Sequence, residues 1–231
     1  KMMMSANSYQ NYQNSDRFGY EYQYVRNTLQ LNRGPRVNQK DSIGDPVFSD
    51  IGFLAGMAET DWSWTPVVQD FDNDGFRDIV ITNGFPRDVT DHDFIAFRQR
   101  SYKIASTEYT LSQVPQVKIH NYAYHNNGNT TFTDETLNWG LEKPSFSNGA
   151  AYADLDNDGD MDMVTNNIDD EALLYENTSM NSKENNNHYL AVKLAGDSLN
   201  LNGLGTWIEL HYSGKQQVVE QTPYRGYLSS H

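Results

Sequence analysis

Residues 70–83 read DFDNDGFRDIVITN, and the same pattern returns 84 residues later as DLDNDGDMDMVTNN at residues 154–167. Eight of fifteen positions are identical when residues 70–84 are aligned with residues 154–168. The register also extends upstream without a gap, since FSD at 48–50 matches FTD at 132–134. A self-match of this length at one constant offset indicates a duplicated structural unit.

Short apolar runs flank each acidic stretch and predict β-strands. One strand enters the stretch at 65–69 or 149–153, and a second leaves it from Asp78 or Asp162. A third strand with an Asn-rich exit appears three times, at 29–32, 123–126 and 174–177. A short fourth strand follows it twice, at 48–50 and 132–134. Four antiparallel strands per unit predict an all-β fold made of partial β-propeller blades.

One segment interrupts the strands of the central unit, which contains the first acidic loop. Residues 90–93 resemble a capping box, and the apolar spacing after them predicts a helix to about residue 105. We therefore expect a helical insertion over about 85–116, between the second and third strands. It either covers the edge of the sheet or forms a contact loop.

The composition excludes several classes of protein. The chain has 231 residues, a formal charge of −14 and no cysteine. Such an acidic chain is a poor nucleic-acid binder, because a phosphate backbone attracts clustered cations. The missing cysteines exclude disulfides, thiolate zinc sites and a cysteine nucleophile. No apolar run is long enough to predict a transmembrane segment.

The spacing of the acidic residues predicts two metal sites. Aspartates at positions 1, 3, 5 and 9 of each loop put four carboxylates on one tight turn, and they repel one another without a cation. Glycine at position 6 permits the sharp reversal. Calcium is favoured because it accepts six to eight oxygen ligands in flexible geometry. The residue at position 7, Phe76 or Asp160, would add its backbone carbonyl.

Other acidic loops fit the sequence less well. EF-hand, dockerin and thrombospondin-type loops need an acidic residue at position 12, where this chain has Ile81 and Thr165. EF-hands also need flanking helices, whereas strands are predicted here. Plain acidic turns that bind no metal remain the other alternative.

These loops resemble FG-GAP/VCBS repeats, the calcium-binding blades of integrin-α-type β-propellers. The lead-in segments 61–64 and 145–154 are typical of such blades in secreted bacterial proteins. A second resemblance covers the tail. The segments 187–194, 202–205 and 217–230 are similar to the ASPIC/UnbV domain that follows the propeller in cartilage-acidic-protein-like chains.

The resemblance implies an extracellular or cell-surface protein, secreted and in a bacterium associated with the outer membrane, whose blades bind calcium structurally. It implies no substrate and no reaction. Carried over position by position, it gives two Ca²⁺ sites with the ligands Asp70, Asp72, Asp74, Phe76 (carbonyl) and Asp78, then Asp154, Asp156, Asp158, Asp160 (carbonyl) and Asp162.

The residue patterns favour a chain without enzymatic activity. The histidines fall outside zinc motifs, and no nucleophile elbow, P-loop or dinucleotide fingerprint occurs. The function predicted is a non-enzymatic binding or adhesion module that contacts protein or glycan. The alternative is a carbohydrate-active enzyme or glycan-binding accessory protein. It would use Asp91, His92 or Asp93 in the insertion, or the tryptophans as a sugar platform instead of core residues.

Two domains are predicted, namely the blades at 1–181 and a truncated β domain at 187–231. The strands are too few to close a ring, since propellers have four to eight blades. We therefore expect this chain to be a segment of a longer precursor, and we expect the remaining blades of that precursor to be its partners. In the tail, alternation predicts strands at 189–194, 207–212 and 217–221, with the middle strand paired to both others.

Overall fold

The computed structural model describes residues 9–20, 26–37, 43–181, 187–227 and 229–230. Within them the chain is mostly β, with antiparallel sheets of two to four strands and a few short helices. The predicted all-β class is confirmed. Helix α1 (Tyr9–Phe18) precedes the first strands.

The central sheet is the four-stranded unit that the repeat predicts. Its strands are β3 (Ser63–Gln69), β4 (Asp78–Asn83), β5 (Tyr122–Asn126) and β6 (Phe132–Asp134), joined in the order of the chain. Every residue of β4 is buried, which explains its continuous apolar run. A buried inner strand of this kind fixes the position of the loop that enters it.

The second sheet repeats this arrangement with three strands. They are β7 (Ser147–Ala153), β8 (Asp162–Asn167) and β9 (Leu173–Tyr175). The cross-strand residue pair next to each acidic loop occupies the same position in the two sheets. Gln69 lies opposite Asp78 in the first, and Ala153 lies opposite Asp162 in the second. The duplicated sequence therefore folds into duplicated strand registers.

A separate hairpin precedes the central sheet. Its strands β1 (Gln30–Val37) and β2 (Ile43–Asp50) contain the predicted short strands 29–32 and 48–50 almost entirely. The pairing shifts register around Pro35, which has no backbone N–H to donate.

The core lies on both faces of the central sheet. One cluster joins it to the second sheet through Val67, Val80 and Ala123 on one side and Ala150 and Met163 on the other. A second cluster on the opposite face contains Ile79, Ile81 and Tyr124 together with Ala55 and Met57. The two repeated units thus pack face to face and hold their acidic loops at neighbouring positions.

The insertion lies between β4 and β5, as predicted, and contains two helices. These are α2 (His92–Ser101) and α3 (Thr107–Ser112). The Asp91 carboxylate caps α2 by accepting a hydrogen bond from the Phe94 N–H at 2.7 Å. The helix predicted to about residue 105 ends at Ser101. The Ser106 hydroxyl accepts from the Tyr109 N–H and caps α3, which the sequence did not predict.

The tail confirms one predicted ladder and contradicts the other. Strands β10 (Trp207–Tyr212) and β11 (Lys215–Glu220) pair as a hairpin. The segment 187–196, which lies wholly among the described residues, forms no strand, so the ladder between 189–194 and 206–212 is wrong. Its alternation predicted a buried face, yet Leu190 and Val192 are exposed. Instead of pairing with β10, the start of this segment lies against the acidic loops.

The chain then returns to the sheets through β12 (Tyr224–Gly226) and β13 (Ser229–Ser230). The Thr65 hydroxyl of β3 donates to the Tyr227 carbonyl at 3.3 Å. Gly226 also lies close to Thr65, Val67 and the Ala150 carbonyl. The predicted boundary between blades and tail stays a prediction, and the linker predicted at 182–187 falls mostly outside the described residues.

Candidate metal centre

The first acidic loop turns its carboxylates inward by accepting its own backbone N–H groups. The Asp70 carboxylate accepts from the Asp74 N–H at 3.1 Å and the Gly75 N–H at 2.9 Å. The Asp72 carboxylate also accepts from the Asp74 N–H, at 3.1 Å. Asn73 (φ 58°) and Gly75 (φ 96°) make the reversal in left-handed backbone conformations.

The second loop has the same fold. The Asp154 carboxylate accepts from the Gly159 N–H at 3.2 Å, and the Asp156 carboxylate accepts from the Asp158 N–H at 3.3 Å. Asn157 (φ 64°) and Gly159 (φ 97°) repeat the left-handed pair. The sequence duplication therefore extends to loop conformation.

Carboxylate oxygens converge in both loops. In each group below, one ligand atom per residue lies within 4.8 Å of the others: Asp70, Asp72 and Asp78; Asp72, Asp74 and His125; Asp154, Asp156 and Asp158. All four predicted aspartates of the first loop fall in such groups, as do three of the second. The carbonyls of Phe76 and Asp160 remain predicted ligands.

The position-9 aspartates have a structural role that the sequence did not reveal. Asp78 is fully buried and accepts from the Phe71 N–H at 3.0 Å and the Asn126 N–H at 2.9 Å. One carboxylate thus ties the start of the loop to the exit of the third strand.

The second unit repeats this link. Asp162 accepts from the Leu155 N–H at 2.9 Å and the Asn177 N–H at 2.8 Å. The Asn126 and Asn177 side chains donate to the Arg77 and Met161 carbonyls, each just before its aspartate. The recurring Asn at the third-strand exit was the available signal for this contact.

The carboxylates lie together in a poorly solvated place. Burial raises the pKa of Asp70 to about 6 and the pKa of Asp78 to about 7. Burial also raises the pKa of Asp72, and the charge of Asp74 adds to that effect. Ionised carboxylates at such sites are costly without a compensating positive charge.

Two buried oxygens of the second loop test the fit of a cation. Asp154 Oδ1 and Asp160 Oδ1 are buried and accept no hydrogen bond from the described residues. A buried acceptor without a partner costs about 1–3 kcal/mol, and more when it is charged. A hard divalent ion bound to either oxygen would remove its cost, and carboxylate oxygens are the donors that calcium prefers.

His125 is a member of the first site that sequence analysis missed. Its Nδ1 lies 3.2 Å from Asp72 Oδ2 and 3.4 Å from Asp78 Oδ1. The sequence alone favours a surface or strand histidine at this position. The second unit has Glu176 before the equivalent Asn177, so the two loops differ in charge at this edge.

The tail lies directly on the acidic loops. Asn187 Nδ2 donates to the Asp72 carbonyl at 3.0 Å, and the Arg77 guanidinium donates to the Val218 carbonyl at 2.6 Å. A Cβ on Gly75 would meet Gln217 and Tyr212 of the hairpin. The loops are therefore positioned between the sheets and the tail, which local sequence patterns cannot predict.

The loops also contact each other and the opposite unit. Asn73 Nδ2 donates to the Gly159 carbonyl at 3.2 Å. The Phe71 carbonyl accepts from Asn177 Nδ2 at 2.7 Å and from the Ser179 hydroxyl at 3.2 Å. A change in one loop therefore reaches the other through direct hydrogen bonds.

The residues of the carbohydrate alternative have structural partners or lie on the surface. Asp91 caps α2, while His92 and Asp93 are exposed on its first turn. Trp139 packs its ring edge against Phe71 in the core. Trp62 stacks on Phe85 at 4.7 Å between ring centroids and is half-buried.

Residues 109–165 match a family model described as an FG-GAP-like repeat. The matched range runs from α3 through β5, β6 and β7, covers the whole second acidic loop and ends within β8. No curated protein matches the chain significantly. Among the described residues, no helix has the length and apolar character needed to cross a membrane. The FG-GAP part of the predicted resemblance is thus confirmed for this range, and the ASPIC/UnbV tail stays a prediction.

Proposed function

We propose that this chain is a calcium-stabilised, non-enzymatic binding module of the β-propeller type, acting outside the cell or at its surface on a protein or glycan ligand. The observation that carries the proposal is the pair of duplicated loops. Each brings three aspartate oxygens within 4.8 Å of one another, and in the second Asp154 Oδ1 is buried and has no hydrogen-bond partner among the described residues. The FG-GAP-like match over the second loop supports the same assignment.

Calcium is the ion that the donor set favours. The predicted ligands of both loops are carboxylate and carbonyl oxygens, which suit calcium and magnesium better than zinc or copper. Magnesium demands near-ideal octahedral geometry, whereas calcium accepts the irregular oxygen geometry that a loop of carboxylates provides. When bound, calcium supplies positive charge that neutralises the converging aspartates.

The aspartates of each loop have different structural roles. Asp70 and Asp154 fold the loop by accepting from the N–H of its glycine. Asp78 and Asp162 tie the loop to the third strand. The remaining aspartates point their oxygens toward the same space. This division supports a structural site, because the carboxylates are already engaged in holding backbone.

The net charge of −14 supports a ligand other than nucleic acid.

The tail from residue 187 onward is proposed as a small ASPIC/UnbV-like β domain that docks on the loops. Calcium would then stabilise both the sheets and the surface on which the tail lies.

The first prediction concerns calcium and thermal stability. With a Kd of about 10⁻⁴–10⁻³ M at each loop, about 5 mM calcium should add about 1–2 kcal/mol per site, because calcium binds only the native state. We expect calcium to raise Tm by about 5–15 °C over EDTA in differential scanning calorimetry. Equal Tm values in calcium and EDTA would contradict the proposal.

Variants of single loops locate the effect. Asp74→Ala and Asp158→Ala should each remove one site and about half of the calcium-dependent rise in Tm. Asp93→Ala is the matched control, since Asp93 is an exposed acidic residue on α2. Isothermal titration should give two sites in the control and one in each loop variant. Two intact sites in Asp74→Ala and Asp158→Ala would refute the assigned ligands.

A further inference from the structure

The two acidic loops differ in how their buried carboxylate oxygens are satisfied. In the first loop both oxygens of Asp70 accept backbone N–H groups, from Asp74 and Gly75. In the second loop the Asp158 N–H bonds only Asp156, and Asp154 Oδ1 is left buried without a described partner. In the second loop, therefore, no backbone N–H of the loop donates to Asp154 Oδ1, whereas the equivalent Asp70 oxygen has such a donor.

Position 7 adds to this difference. The first loop has Phe76 there, and its exposed side chain lies against Gly128 and under the Lys215 ammonium. The second loop has Asp160, which is only 1% exposed. The backbone at position 7 is equivalent in the two loops, since the Asp160 N–H donates to Asp158 Oδ1 at 3.1 Å and the Phe76 N–H donates to Asp74 Oδ1 at 2.7 Å. Only the side chain at this position differs.

The two oxygens of Asp160 have different surroundings. Oδ2 accepts from the Met180 N–H at 3.0 Å and from the Ser179 hydroxyl at 3.1 Å. Oδ1 is buried and accepts no hydrogen bond from the described part of the chain. A buried, ionised carboxylate with one unsatisfied oxygen is destabilising, and a positive charge bound to that oxygen would remove the cost.

We propose that the second loop is the tighter calcium site and that Asp160, through Oδ1, is a side-chain ligand that the first loop lacks. This inference rests on the proposed calcium-binding function. Each added carboxylate ligand raises affinity for calcium, because ligand charge and rigidity set the Kd of such loops. His125 works in the opposite direction at the first loop, since its Nδ1 is already in contact with Asp72 and Asp78.

A bound ion at this place would also fix the turn that follows β9. Asp160 Oδ2 holds Met180 and Ser179, and Asn181 Nδ2 donates to Asp158 Oδ2 at 3.1 Å. Both carboxylates that face the ion thus anchor residues 179–181. Calcium at the second loop should therefore slow amide exchange at Met180, outside the loop itself.

The test uses the full chain with the first loop disabled by Asp74→Ala, so that titration reports the second site alone. Adding Asp160→Asn keeps the shape and an acceptor for Met180 but removes the charge. We expect calcium affinity to fall about tenfold or more. Asp170→Asn is the control, because Asp170 is an exposed aspartate that contacts Lys118 at 2.7 Å. It should leave the affinity unchanged.

Further readouts separate a ligand from a merely structural acceptor. If Asp160 is a ligand, Asp160→Asn leaves Tm in EDTA unchanged or higher and removes the calcium-dependent protection of Met180. Equal losses of Tm with and without calcium, or an unchanged affinity, would overturn the inference while leaving the proposed function standing. If the unsubstituted chain binds no calcium at either loop, the proposed function and this inference both fail.

Discussion

Phe71→Ala should lower the free energy of unfolding by about 3–5 kcal/mol, the range for deleting a buried aromatic side chain. Phe71 is 7% exposed although it lies inside the first acidic loop. Its ring meets Trp139 and Tyr152 edge-on, with centroids 6.2 and 6.4 Å away. Tyr152 belongs to β7, so the ring fills space between the two repeated units and its loss leaves a cavity there.

The duplication supplies the matched control for this prediction. Leu155 occupies the same position in the second loop and is 54% exposed. Leu155→Ala should therefore cost no more than about 0.5 kcal/mol, as surface substitutions usually do. Both variants keep the backbone N–H that donates to Asp78 or Asp162. Urea unfolding in saturating calcium compares the two, and equal losses would contradict the packing assigned to Phe71.

The contrast between Phe71 and Leu155 shows where sequence analysis reaches its limit. The aspartate spacing predicts both loops and their flanking strands, because ligand positions and turn residues are local properties of the chain. Burial at position 2 depends on which face of the unit meets its neighbour. Two similar apolar residues in equivalent places therefore differ in exposure, and nothing in the repeat itself distinguishes them.

The tail illustrates the same limit in a different form. Alternation of apolar residues at 189–194 is real, but alternation predicts only a strand-like conformation and does not identify a partner. The neighbouring hairpin was predicted correctly, because β10 and β11 are joined by a tight turn at Gly214, where φ is 76°. The contact between Asn187 and Asp72 spans more than 100 residues of sequence and has no local signal.

His125 and the third-strand contacts of the position-9 aspartates, which were predicted only as ligands, were missed for a related reason. The repeat shows that Asn126 and Asn177 are equivalent, yet their contacts with Asp78 and Asp162 arise only when the third strand pairs with the second. Strand pairing then brings His125 to the first loop. A motif read along the chain includes the loop residues and omits residues from the adjacent strand.

Gly159→Ala should displace the tail from the second loop. Gly159 has φ 97°, and a Cβ built on it would fall inside the Tyr189 ring. The substitution therefore combines backbone strain of about 1–2 kcal/mol with a steric overlap worth about 1–3 kcal/mol more. Because the backbone of Gly159 cannot move without breaking its hydrogen bond to Asp154, we expect Tyr189 to leave.

Gly140→Ala separates strain from overlap. Gly140 has φ 74°, and a Cβ built on it meets nothing within 4 Å. It should therefore lose only the backbone-strain component, about 1–2 kcal/mol. Trypsin cleavage after Lys193, an exposed residue shortly after Tyr189, reports release of the tail. Cleavage should accelerate in Gly159→Ala and stay unchanged in Gly140→Ala.

The double variant Gly159→Ala with Tyr189→Ala decides whether the ring is responsible. Removing the ring relieves the overlap, so the double variant should be more stable than the sum of the two single losses predicts, by about 0.5–3 kcal/mol. Strict additivity would contradict this, because it would mean that the Tyr189 side chain, which is 50% exposed, moves aside at no cost. A positive coupling would instead show that glycine at position 6 serves two purposes in this chain, since it turns the loop and admits the tail that lies on it.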